Sequence, residues 1–541
     1  TAKPPADSLL ADGLKEAQKI LDTGRHQSLA GQLNSIAVNY LLTGYPRYAS
    51  LYVALWDLYA EQAVEDAASY GGPWGFDSDF SSYRVVSGWD VIRHDPILTE
   101  EQRVRTTQHL CRWIAEAVAP KASFREGRVS FNHQTFPALG VLRTGLFLKE
   151  HFPETLEEFT WLAKADGLFR NQAQFYKVDE DCNTYQWLTN GHLLRYALAR
   201  PDHTVFDNGN ARKIADYALA TMNNLGYQVP YGDTGAWTGS FSENQVLGPI
   251  SSVLDYPPAR WASLRKTELR SAFAVESYQA TGAPGPPPTD YDGLRVWPLE
   301  LAYARTFPEG GLPPEEQRFD KISLRKAFSP EAPYLLLDGL GNGGHGHHDA
   351  NSVLQFTQFD RIWLADNDYY RSQVKYHNSM QILRDGESSP VPDYAALLGR
   401  AESERFGYSH TRMVNYSDCD WDRTLIWWKE KDAFAILDRV TPRTEADFHF
   451  RLFWHGIGEA TLQNNDLLLL QKGPSLRIQV APGPDGILAP DVALGARNWA
   501  GYPHAAPVVQ TTSFTERGRR KAGEAYLFAT IFHGDLKGES K

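Results

Sequence analysis

The sequence predicts a two-part fold, a toroid or solenoid of helical hairpins followed by antiparallel β-sheets packed as a sandwich, and three observations carry that expectation. Apolar residues recur with a helical period from the N-terminus to about residue 310, and with a period of two beyond it. Two Pro/Gly-rich runs, GAPGPPPTDYDG at 282–293 and PEGGLPPEEQ at 308–317, separate these regimes. The chain of 541 residues is 42% apolar and 22% charged and holds 26 Tyr, 26 Phe and 15 Trp, enough to fill large cores and remote from the composition of disorder.

In the helical part, Leu10, Leu14, Ala17 and Leu21 return every three or four residues. Thr99 and Gln102 form a capping-box pattern ahead of Val104, Leu110, Trp113, Ile114 and Ala117. Comparable patterns at 26–44, 48–69, 132–151, 155–175, 184–199, 209–225, 243–255 and 262–280 bring the expectation to roughly ten to twelve helices. In the second part, Leu476, Ile478 and Val480 alternate with polar neighbours, as do Phe448, Phe450, Leu452 and Trp454. Strand-like runs at 333–338, 351–359, 361–366, 423–429, 433–438 and 525–533 have no helical crossovers between them, so their pairing is expected to be antiparallel. We place the boundary near residue 315.

Lys and Arg number 54 against 66 Asp and Glu, a net charge of −12, which argues against a dedicated nucleic-acid binder. An anionic ligand then needs a locally basic groove, for which Arg412, Arg451 and Lys375 are candidates. The three cysteines, Cys111, Cys182 and Cys419, fit no disulfide, zinc or redox pattern. No apolar run is long enough for a membrane span. The start TAKPPADS has neither Met nor an h-region, so we expect a signal removed before residue 1 and a secreted or periplasmic protein. The many flat amphipathic rings suit stacking on sugars, although core packing explains any one of them equally well.

The densest chemical constellation is GNGGHGHHDANS at 341–352. In an extended backbone His345, His347 and Asp349 share one face and His348 the other. With Asp366 and His377 downstream, a divalent metal could take His347, Asp366 and His377 as ligands. An isolated His more often hydrogen-bonds in a loop, but this crowding argues for a site. The H-x-H-x-D pattern of metallo-β-lactamase-type hydrolases is a competitor. It normally adds a His where Ala350 stands, and it needs alternating β and α elements.

Upstream, Asn132 and His133 open a helical run, where amide, imidazole and free backbone N–H groups can bind a carboxylate; a capping Asn beside a partly exposed His is the plainer reading. The segment KVDEDCNTYQWLTNGH at 177–192 holds Asp179, Glu180 and Asp181, either a solvated helix start or hydrolase carboxylates. Its Tyr185 can serve as a general acid or base if cationic neighbours lower its pKa. The Gly-rich VPYGDTGAWTG at 229–239 can line a sugar groove. Trp187, Tyr231, Asp233 and Trp237, with Arg412, are the expected substrate contacts.

Taken together, an Asn-His pair in a helical half, a tyrosine segment, and H-x-H-x-D-x-x-S followed by Asp and His in a β half resemble the heparinase II/III-like polysaccharide lyases. His345 through Ser352 carry the specific part of the resemblance, which spans most of the chain. It implies an incomplete (α/α) toroid over 1–315, an antiparallel β-sandwich over 316–541, and substrate held in a cleft between them. It further implies one zinc per chain on His347, Asp366 and His377, for which we expect a structural role, and catalytic roles for His133, Tyr185 and His345. Relatives often carry Asp-Gly before the tyrosine, whereas here the run is Glu-Asp-Cys-Asn-Thr; Tyr231 and Tyr370 are the alternatives if Tyr185 is misplaced.

The corresponding reaction is β-elimination on an anionic, uronate-containing polysaccharide. It needs the carboxylate neutralised, for which Asn132 and His133 are suited, the C5 proton removed, and the O4 leaving group protonated by Tyr185 and either His133 or His345. The alternative is a toroidal glycoside hydrolase using Asp181 and Asp233, which leaves the His cluster unexplained. A non-catalytic polysaccharide binder is the third reading. We expect no nucleic-acid partner and no membrane span; the oligomeric state stays open.

Overall fold

A computed structural model describes residues 5–23, 28–65, 80–122, 129, 131–158, 161–200, 202–239, 242–265, 280–300, 313–341, 343–366, 368–482 and 486–537. Its helices are α1 (Leu9–Asp22), α2 (Ser28–Thr43), α3 (Pro46–Glu65), α4 (Ser82–Ile92), α5 (Glu100–Trp113), α6 (Asn132–His151), α7 (Trp161–Gln172), α8 (Asn183–Ala199), α9 (Thr204–Asp207), α10 (Asn210–Ala220), α11 (Asn244–Val253), α12 (Pro257–Leu264) and α13 (Val492–Asn498). The strands are β1 (Gly293–Trp297), β2 (Lys321–Arg325), β3 (Tyr334–Asp338), β4 (Val353–Gln358), β5 (Arg361–Ala365), β6 (Met380–Arg384), β7 (Ala396–Glu402), β8 (Phe406–Tyr416), β9 (Cys419–Trp428), β10 (Ala433–Pro442), β11 (Ala446–Ile457), β12 (Glu459–Gln463), β13 (Asp466–Leu470), β14 (Ser475–Ala481), β15 (Gly486–Asp491), β16 (Val509–Arg520) and β17 (Tyr526–Asp535). Helices α1 to α12 thus precede the antiparallel strands, as the change of period predicts, and α13 lies between β15 and β16. Residues 266–279, most of the last expected helical run, lie outside the described residues.

The chain forms two compact units, each built from more than one segment of the sequence. Among the described residues, the first is drawn from 5–178 and 189–210, and the second from 179–188, 211–265 and 280–537. Polar contacts to the strands explain why 211–225 belongs with the sheets. Tyr217 donates to Asp320 at 2.9 Å, Asn223 to Gln355 at 2.7 Å, and the Tyr334 hydroxyl to the Ala220 carbonyl at 2.8 Å.

In the first unit, each of α1 to α4 packs against the helix two places further on. That is how alternate members of successive hairpins form two layers. The expected capping box starts α5: Gln102 N–H donates to the Thr99 hydroxyl and the Gln102 side chain accepts from Thr99 N–H. Helix α4 buries Tyr83, Val85, Val86, Trp89 and Ile92 and leaves Arg84, Ser87 and Asp90 on its less buried side; at 11 residues, with a Gly and two Ser, it is not among the helices that the sequence predicts. At Gly140, a Cβ would come within 2.3 Å of the Ser82 hydroxyl; the bare glycine lets α6 lie directly on the start of α4.

In the second unit, one sheet has the order β1-β2-β3-β4-β5-β11-β16-β15, with β6 also pairing β11; the other runs β12-β13-β14-β17-β10-β9-β8-β7. Their inner faces share one core. Phe356 meets Phe434 at 5.3 Å and Trp454 meets Phe532 at 5.0 Å between ring centroids, each pair spanning the two sheets. Strands β8 and β10 alternate inward and outward, whereas β2, β3 and β4 are buried throughout. Val229 and Tyr231 cover the other face of β3 and β4. Strand β1 precedes residue 315 and pairs with β2. Among the described residues no helix is long and apolar enough to cross a membrane.

Candidate active site

The His345 loop joins β3 to β4 and is held by two other segments of the second unit. Asp181 N–H donates to the Gly344 carbonyl at 2.9 Å, Gly344 N–H to the Asp179 carbonyl at 2.5 Å, and Asp233 N–H to the His345 carbonyl at 2.9 Å. Gly232 permits this meeting: its φ is +62°, and a Cβ there would lie 2.4 Å from the Asp181 carbonyl oxygen. The loop is not extended. His345 itself has φ of 56°, so the shared face expected for His345, His347 and Asp349 does not form.

His345 Nδ1 lies 2.8 Å from the Glu180 carboxylate, which is fully buried. A carboxylate only accepts, so Nδ1 carries the proton in this contact. The Tyr185 ring sits 4.4 Å from the imidazole between centroids, and its hydroxyl is 2.9 Å from that of Tyr369. The condition of cationic neighbours that lower the Tyr185 pKa is not met. Burial first, and then the Tyr369 hydroxyl, push it up, so Tyr185 rests as a neutral phenol, a proton donor. Tyr370, named in the sequence as an alternative proton carrier, is 73% exposed and lies under Arg497; Tyr369 is the tyrosine that reaches Tyr185.

His347 turns its Nε2 to Asp233 at 3.1 Å. The ligand atoms that cluster within 4.8 Å of one another are those of Asp349, Asp366 and His377, all buried. The His347 ring lies 5.4 Å from that of His377. His377 Nδ1 contacts Asp366 Oδ1, while His377 Nε2, His347 Nδ1 and Asp349 Oδ1 are buried without partners among the described residues. Burial, and then the nearby carboxylates of Asp338 and Asp366, push Asp349 well above the usual carboxylate range. Unpaired imidazole nitrogens beside crowded carboxylates fit a divalent cation.

Behind the loop, Lys321 is fully buried. Its ammonium donates to Asp338, Asp320 and Asp181 at 2.7, 2.9 and 3.0 Å and faces the Tyr231 ring at 4.6 Å. Burial and the Asp181 charge push the Asp338 carboxyl up to about 8 against the pull of Lys321. Asp181 is thus tied to Lys321 behind the loop.

Several expected substrate contacts are corrected by burial and pairing. Trp187 is a core side chain of α8 that donates to Asn183 at 3.2 Å and packs on Tyr217. Tyr231 is equally buried, 3.3 Å from the Tyr217 hydroxyl. Arg412 is on the face of β8 opposite the inward Thr411 and pairs through two nitrogens with Asp422, at 2.8 and 3.1 Å. Asp233 stays partly exposed; Trp237 is half-buried between Tyr227 and Tyr502 and donates to the Ala500 carbonyl.

In the first unit, Asn132 begins α6 and is buried, with both side-chain polar atoms unpartnered among the described residues. His133 packs between Phe80 and Phe131, at 5.3 and 5.8 Å. Thr135 links this first turn to His192 Nδ1 at 2.9 Å. Burial, with Arg195 and Arg84, keeps His192 well below its ordinary pKa and hence neutral. The sequence reading missed Glu180, Tyr369, Lys321 and His192 as site residues. For Glu180 the acidic triplet was a signal, but nothing local tells a buried carboxylate from a solvated one.

No family model matches the sequence, and neither does any curated protein. Solved structures do match. Heparinase III aligns with a TM-score of 0.66 at 10% identity, covering 95% of this chain and 78% of that one. A mutant heparan sulfate lyase from Pedobacter heparinus aligns with a TM-score of 0.62 at 12% identity, covering 96% and 77%. Chondroitin AC lyase from Streptomyces coelicolor A3, in complex with chondroitin sulphate, gives 0.54 at 12%, covering 100% and 81%. At such identities the likeness is one of fold: the chain has the architecture of solved polysaccharide lyases, a helical toroid followed by antiparallel β-sheets.

Proposed function

We propose that this protein is a polysaccharide lyase that cleaves a uronate-containing anionic polysaccharide by β-elimination. The observation that carries the reading is a base and an acid side by side: His345, its Nδ1 proton held by Glu180, within ring contact of the neutral phenol of Tyr185. His345 Nε2 takes the C5 proton, and the electrons of that C–H bond form the C4–C5 double bond. The C4–O4 bond breaks, and Tyr185 gives its proton to the departing oxygen. Glu180 stabilises the imidazolium as it forms, and each proton transfer contributes about 10²–10⁴-fold. Tyr369, bonded to the Tyr185 hydroxyl, is placed to return a proton to it.

The similar solved enzymes are named for heparan sulfate and chondroitin sulphate, and we carry that substrate class to this chain as a sulfated or unsulfated uronate polymer. Arg371 and Arg497 stand beside Tyr376 and Tyr370 but are ion-paired with Asp368 and Asp491, so Lys375, against the Tyr376 ring, is the cation that this stretch offers an anionic polymer. Such polymers lie outside the cell, in keeping with a secreted or periplasmic protein. The test is incubation with heparan, chondroitin and dermatan sulfates, hyaluronan, alginate and glucuronan while following the ultraviolet absorbance of an unsaturated uronate. We expect absorbance to rise with chain cleavage. New reducing ends without it would move the protein to the hydrolases.

A divalent metal, zinc by donor type, would be held by Asp366 and His377 with Asp349 and His347 as the further donors. Such an ion would offset the crowded carboxylates and hold the His345 loop to the sheet. His377→Ala is expected to lower both the metal content by atomic absorption and the melting temperature. Equal metal content in the two proteins would remove the assignment.

A further inference from the structure

We propose that the helical unit carries a second divalent-metal site, made by Asp90, His94 and His151 and suited to zinc or a related transition ion. Asp90 is in the last turn of α4, His94 follows four positions later, and His151 is the last residue of α6. Arg93, between them, keeps helical dihedrals, so Asp90 and His94 stay on one side of the continuing turn. One ligand atom from each of the three lies within 4.8 Å of the others. His151 Nε2 is 2.8 Å from Asp90 Oδ1, and the two imidazole rings stand 5.8 Å apart at 61°. Two imidazoles and one carboxylate at this separation supply three ligands of a tetrahedral ion and leave a position for water. The approach is open, because His94 is exposed and Asp90 also lines a surface cavity of about 600 Å³.

Helix geometry adds a reason for a cation at this point. Gly140 of α6 lies against Ser82 at the start of α4, and His151 against Asp90 at its end, so the two helices run in the same direction. Their C-terminal ends converge on the three side chains, and each presents the negative end of its dipole. Arg93 opposes this field, but its guanidinium is held over the Phe147 and Phe152 rings, 5.3 Å from each centroid. The bound ion ties the ends of α4 and α6 together. It is independent of the elimination chemistry and of the Asp349, Asp366 and His377 cluster, which belongs to the other unit.

Chelator-treated full chain, dialysed to equilibrium against zinc with the metal counted by atomic absorption, tests the site. The wild type and His377→Ala are each compared with the same protein carrying His94→Gln and His151→Gln. In both backgrounds the added pair is expected to lose one equivalent of zinc, and in the wild-type background to leave lyase turnover unchanged. Cobalt bound to His377→Ala should give visible d–d absorption that the added pair abolishes. Should the pair fail to fold, Asp90→Asn, which keeps the side-chain volume, gives the same readout. Unchanged stoichiometry and an unchanged cobalt spectrum would leave only an Asp–His ion pair with a neighbouring His, and overturn the proposal.

Discussion

Tyr185→Phe lowers kcat by about 10²-fold or more while leaving KM and the melting temperature close to those of the wild type. The ring keeps its place against His345, and only the hydroxyl bonded to Tyr369 is lost. An acid that protonates the leaving oxygen acts in the transition state, so its removal is read in turnover rather than in binding. His345→Ala falls at least as far. Glu180→Gln keeps a hydrogen-bond partner for Nδ1 but withdraws the charge that steadies the imidazolium, and is expected to lie between them. The measurement is the initial rate of unsaturated-uronate absorbance at saturating polymer, with thermal melts as the folding control. Near-normal turnover in Tyr185→Phe, together with loss of activity in Tyr369→Phe, would transfer the proton-donating role to Tyr369.

Lys321→Met destabilises the chain by about 3–5 kcal/mol, the cost of leaving buried charge without its partner. Asp181, Asp320 and Asp338 are all fully buried around one ammonium, so its removal forces further protonation or admits water. Denaturant titration reads the loss directly. Lys321→Met combined with Asp320→Asn and Asp338→Asn should recover part of it, because fewer charges are then stranded. Turnover should fall as well, since Asp181 is bonded to the backbone of the His345 loop. A single variant within about 1 kcal/mol of the wild type would mean that Lys321 is not what neutralises this cluster.

The change of apolar period, the Thr99 cap and the alternating strands around 448–455 and 475–480 are local patterns, and they were legible. Strand β2 was harder to read because both its faces are covered, which erases the polar half of the pattern. The same limit governs the site. His345, Tyr185 and the Asn132-His133 pair stand out by residue type. Glu180 and Asp181 resemble a solvated helix start, and Asp181 shows its role only through Lys321, 140 positions away. Trp187 and Tyr231 fail as sugar platforms for a related reason: an aromatic ring in a Gly- or Asn-rich segment has the same local sequence whether it faces solvent or the back of a sheet.

Strand β11 changes partners along its length, pairing with β6 from Phe448 to Leu452 and with β5 at Gly456. The chain between β5 and β6, which carries Asp366, Tyr369 and His377, therefore leaves the ladder at one strand and re-enters it at another. A residue gained or lost within a paired strand such as β8 would turn its core side chains outward, since strand faces alternate. The same change between residues 368 and 376 shifts no strand register. Variation in length and side chains can accumulate there without renegotiating the sandwich, so this stretch is where relatives of different substrate preference can diverge at least expense to folding.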